Sequence, residues 1–101
     1  MTRDDLLAWL DERVGVSVIA RTNLGPGVTA TLLETHGQLQ REAVPGGGAH
    51  YLVGDATLDV SKLDDAQVDG TEAFEGPWEG LVIPLAANVS FVVSDRAYEP
   101  A

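Results

Sequence analysis

Leu6, Trp9, Leu10 and Arg13 recur at helical spacing, with Leu7 beside the stripe. Thr2 is a good N-cap for such a segment, and Asp4 and Asp5 suit the positive end of a helix dipole. The pattern predicts a helix over about residues 3–13, stopping near Gly15. Its apolar face requires something to cover.

Past Gly15 the period changes from helical to alternating. Val14, Val16 and Val18 alternate with Gly15, Ser17 and Ile19, a strand signal. Asn23 to Gly27 supplies turn residues. Val28, Ala30 and Leu32 then alternate with Thr29, Thr31 and Leu33 in a second strand rich in β-branched residues. Gly37 reads as a turn, Gln38 to Val44 as a third, more polar strand, and Pro45 to Gly48 as a breaker. Tyr51 to Val53 makes a fourth strand, which Thr57 to Val60 extends past a kink at Gly54. Ser61 to Gln67 has room for one helical turn, and Asp69 to Gly76 reads as a loop. Leu81 to Leu85 and Asn88 to Ser94 complete the strands, with Pro84 marking an edge or a bulge. Residues 96–101 are expected to fray.

The expected fold is therefore mainly β (α+β), a single domain of 101 residues. An N-terminal helix leads into a small, strongly bent antiparallel sheet or barrel of five to six strands over residues 14–95. A barrel would bury more surface and leave fewer free edges than an open sheet. The order of elements carried by "VGVSVIART", "GVTATLLETHGQLQRE", "HYLVGDATLDV" and "GLVIPLAANVSFVV" resembles that of SH3-like and Sm-like small barrels. That resemblance implies a barrel and assembly into rings or dimers through edge strands. Sm-like proteins bind RNA with polar and basic loops. The matching loops here, "QLQREAV" and "PLAANVS", lack the family's Asp–Asn-type and Arg–Gly-type elements.

Charge sharpens that last point. Sixteen acids face six bases, for a formal charge of −10. Between Asp55 and Glu79 stand eight acids and one base, Lys62. Such a surface repels phosphate backbones and anionic lipid, so neither nucleic acid nor membrane is an expected partner. There is no cysteine, hence no disulfide, thiolate metal site or Cys nucleophile. The N-terminal residues are charged with no apolar signal region behind them, and the longest apolar run, Leu81 to Ala87, is too short to span a bilayer. A cytoplasmic protein is the expectation.

Several stretches invite chemical readings. "NLGPGVTA" (residues 23–30) spells G-x-G-x-x-A, one form of the loop that holds a dinucleotide pyrophosphate. That loop must open a helix, whereas Val28 to Thr31 favours a strand and Pro26 removes an N–H donor, so a turn between strands is the expectation. In "DAQVDGTEAFEG", oxygen ligands for Ca²⁺ fall at Asp65, Gln67 and Asp69, but the closing Glu75 comes one residue early. Those residues offer no more than adventitious Ca²⁺ or Mg²⁺ binding. His36 and His50 lack a third ligand for Zn²⁺, although Glu34 lies on the strand face of His36. Ser17 misses the nucleophile elbow at the last glycine. No cofactor is expected, and the balance leans against catalysis.

"FEGPWEG" (residues 74–80) places two aromatics about a Gly–Pro turn. Phe74, Trp78 and Leu81 are the candidate partner contacts, since exposed Trp often anchors protein interfaces. The expected role is a non-catalytic binding or assembly domain, working through a protein partner or self-association. The alternatives are a ligand-binding or enzymatic barrel and a subunit of a ring-forming assembly.

Overall fold

A computed structural model describes residues 1–24, 30–43, 45, 49–75, 79–86 and 88–95. Helix α1 spans Arg3–Asp11 and opens on a capping box. The Thr2 hydroxyl accepts from the Asp5 N–H at 3.1 Å, and the Asp5 carboxylate accepts from the Thr2 N–H at 3.4 Å. The helix ends two residues before the expected Arg13. Turns follow, and Gly15 adopts φ +89°, a conformation that interrupts an extended run. Strand β1 therefore begins at Ser17, not at Val14.

Among the described residues eight strands form, more than the five to six expected. They are β1 (Ser17–Leu24), β2 (Ala30–Gln38), β3 (Gln40–Ala43), β4 (Ala49–Val53), β5 (Ala56–Asp59), β6 (Glu72–Phe74), β7 (Gly80–Ala86) and β8 (Val89–Asp95). A five-stranded sheet has the order β2-β1-β8-β7-β6, and a three-stranded sheet the order β3-β4-β5, all pairs being antiparallel. Only Leu39 separates β2 from β3, so the chain passes from one sheet to the other at that residue. Leu39 is held there by backbone hydrogen bonds to Gly15 and Val16 and is almost wholly buried.

Gly37 is not a turn. It lies inside β2, where a Cβ would stand 3.2 Å from the Gly54 nitrogen. Gly54, read as a kink, instead turns β4 back onto β5 as a hairpin. Pro84 sits beside a register shift between β7 and β8, so it marks a bulge in an interior strand.

The core forms where the two sheets and α1 meet. Leu6 and Leu10 of α1, Val18 and Ala20 of β1, Leu81 and Ile83 of β7 and Val93 of β8 cluster with Tyr51, Val53 and Leu58 of the smaller sheet. Burying a leucine such as Leu6 or Leu10 contributes about 1.5–3 kcal/mol. No closed barrel forms among the described residues, because β5 and β6 are not paired. Between them lie a 3₁₀ turn at Val60–Lys62 and helix α2 at Asp65–Asp69, which cover that flank with Val60, Leu63 and Val68. Each is capped by an aspartate, Asp59 and Asp64 respectively. Arg3 of α1 donates to the carbonyls of Val60 and Leu63 at 2.7 and 2.9 Å, fixing the helix to this flank.

Candidate interaction surface

The free sheet edges differ sharply in length. β6 has three residues, and β3 and β5 have four each. β2 is an edge strand of nine. Short or charged edges are the usual protection against unwanted pairing; β2 is long and carries one acid, Glu34, and one histidine, His36. Within the five-stranded sheet, β2 pairs with β1 on one side.

A bulge shapes this edge. Thr22 faces Leu33 and Asn23 faces Thr31, so Leu32 is the extra residue. It is 55% exposed, and Leu33 is 71% exposed. Leu33 and Thr35 line a groove of about 230 Å³ with Ala20, Thr22, Phe91 and the Asp55–Ala56 end of the β4–β5 hairpin. On the opposite face of β2, Glu34 accepts from Arg21 Nε and lies 3.1 Å from His36 Nε2. The Arg21 hydrogen bond, followed by that of His36, holds the Glu34 carboxyl below its ordinary range. The strand thus combines exposed leucines with an acid already matched by a base.

The contacts expected from the sequence lie elsewhere. Trp78 is outside the described residues. Phe74 is half-buried on β6, and Leu81 is fully buried in the core, because β7 lies between β6 and β8. Leu81 therefore offers no surface to a partner. The β2 leucines carried one sequence signal: Leu32 and Leu33 are adjacent, so strict alternation cannot bury both on one face.

The other polar clusters have structural geometry. Asp65 and Asp69 begin and end α2, and Glu75 is exposed beyond β6. The Gln67 side chain is taken up at both ends, accepting from the Asp64 N–H and donating to the Leu85 carbonyl, each at 2.9 Å. His50 Nε2 lies 2.9 Å from Asp59, whose carboxylate also accepts from the Ser61 hydroxyl. The carboxylate stands between serine and histidine, whereas nucleophilic activation needs the imidazole there. The Ser61 hydrogen bond is the chief cause that holds the Asp59 carboxyl low. At the end of α1, Asp11 accepts from Arg41 at 2.8 Å and from the Tyr51 hydroxyl at 2.6 Å. Burial, with that hydrogen bond, pushes the Tyr51 phenol up to about 12. Among the described residues, no three His, Asp or Glu side chains gather as a metal site would require. No helix among them is long and apolar enough to cross a membrane.

Comparison with protein-family models, curated proteins and solved structures finds no match to this chain.

Proposed function

We propose that this chain is a non-catalytic binding or assembly domain of the cytoplasm that meets other proteins through the edge of β2. The supporting observation is the nine-residue edge itself, with Leu32 and Leu33 exposed along it. Adding a strand to such an edge satisfies main-chain donors and acceptors and covers apolar side chains in one step. The acidic remainder of the molecule turns away phosphate-rich and acidic partners.

The groove beside Leu33 supports the second reading, a site for a small apolar ligand at the open end of the core. Sedimentation equilibrium of the pure chain, run beside a thermal-shift panel of metabolites, nucleotides and metals, separates the two. The binding-or-assembly reading expects no compound that raises the midpoint, and its assembly form expects in addition a mass above the 10.7 kDa of one chain. A strictly monomeric chain whose midpoint rises several degrees with one compound would overturn it in favour of the ligand site.

A further inference from the structure

We infer that the β2 edge pairs with the β2 edge of a second copy of this chain, antiparallel, about a two-fold axis at Thr35. This rests on the reading of that edge as a contact surface and names what it contacts. Two observations select the occupant.

The first is charge. Residues 14–44, which include β1, β2 and β3, hold two acids, Glu34 and Glu42, and two bases, Arg21 and Arg41. This stretch is neutral in a chain whose formal charge is −10. Two such chains repel over most of their surfaces, whereas this segment itself carries no excess of like charge, with Asp55 of the neighbouring hairpin lining the groove beside Leu33 and Thr35. Acids farther away than about 10 Å are largely screened at physiological salt.

The second is the order of residues along the edge. Leu33–Glu34–Thr35–His36–Gly37 is complementary to its own reverse. With the axis at Thr35, Glu34 faces the second copy's His36, Thr35 faces its equivalent, and Leu33 faces the second copy's Gly37. Residues 33, 35 and 37 share one face of the strand and 34 and 36 the other, so every opposed pair lies on a common side. Gly37 brings no side chain of its own against that leucine, which would lie beside the Gly37–Gly54 contact. Moving the axis to Glu34 opposes two carboxylates. Moving it to Leu33 carries the pairing into the bulge at Leu32, where alternation breaks. Moving it to His36 sets Glu34 against Gln38 and loses the acid–imidazole pair. A two-fold interface requires a surface that matches itself, and only the Thr35 axis among these provides one. The product is a continuous sheet that joins the five-stranded sheets of both copies.

The chain has no cysteine, so single-cysteine variants read the register directly. Opposed residues in an antiparallel pair lie about 4.5–5.5 Å apart at Cα, within disulfide reach. Thr35→Cys is expected to cross-link to its equivalent under mild oxidation. Gln38→Cys is not, because its two copies would stand about 20 Å apart along the strands. In sedimentation equilibrium the unmodified chain is expected at twice 10.7 kDa and Leu33→Lys at the single-chain mass, with its circular dichroism and thermal midpoint retained. A chain monomeric at every concentration tested refutes the pairing of copies, yet leaves a domain that binds a different protein. A dimer that persists in folded Leu33→Lys, or that cross-links through Gln38→Cys and not Thr35→Cys, refutes this edge and register while leaving assembly through another surface.

Discussion

Gly54 shows how one residue sets the position of the candidate surface. Its φ of +55° is the left-handed conformation that a two-residue turn between β4 and β5 demands. A side chain there would place its Cβ on the Thr35 hydroxyl and 3.3 Å from the His36 carbonyl oxygen. Glycine thus lets the hairpin close against the inner face of β2 and form one wall of the groove. Gly54→Ala is expected to destabilise the fold by about 1–3 kcal/mol, read from urea unfolding, because strain and collision act together. A midpoint unchanged from the native chain would show that the turn is not held as described. At this scale the sequence was partly legible. Both glycines of the contact stood out, but the approach of Gly54 to Gly37 couples two distant strands and leaves no local mark. Leu81 was misread for a related reason: its burial depends on strands on both sides, which a single run of apolar residues does not reveal.

At the scale of elements, α1 was the most legible, because its cap, its acidic first turn and its apolar stripe are all local. Substituting Thr2 by alanine removes the side-chain half of the capping box, and a loss of about 1 kcal/mol in unfolding free energy is expected. An equal stability would mean that Asp5 and solvent satisfy the helix start without Thr2. The change of period after the helix correctly announced a β-rich remainder. The short elements did not announce themselves. α2 has five residues and β6 has three, lengths at which periodicity carries little information. They exist because α1 and β7 provide surfaces to pack or pair against. Residues 25–29 of the "NLGPGVTA" stretch lie outside the described residues; β1 ends at Leu24 before them, and β2, which pairs antiparallel with β1, begins at Ala30 after them. The β2 edge was half visible. Its strand character could be read, but its place at the end of a sheet depends on the order of the other strands.

Across the whole molecule, charge and titration give the fold a limited pH range. Glu34 and Asp59 are held below the ordinary carboxylate range by Arg21 and Ser61 respectively. Their contributions are present above the unfolded values near pH 4 and are lost as pH falls through the lowered folded values. Tyr51 has the opposite sign. Its phenol is raised to about 12, so its contribution is complete below the ordinary value of 10.0 and is lost as pH climbs from there to about 12. Thermal midpoints measured across pH should stay nearly level at neutrality and fall on both sides, with Tyr51→Phe flattening the alkaline fall. An alkaline fall unaltered by that substitution would assign it to other groups.

The edge of β2 carries the proposed pairing of this acidic molecule with a second copy of itself. Amide hydrogen exchange, resolved residue by residue at rising protein concentration, addresses that claim most directly. Protection of amides within residues 33–37 is expected to increase with concentration, while the edge amides of β3 and β6 keep their rates. Rates in β2 that stay constant over the whole range, or a gain in protection confined to another strand, would contradict it.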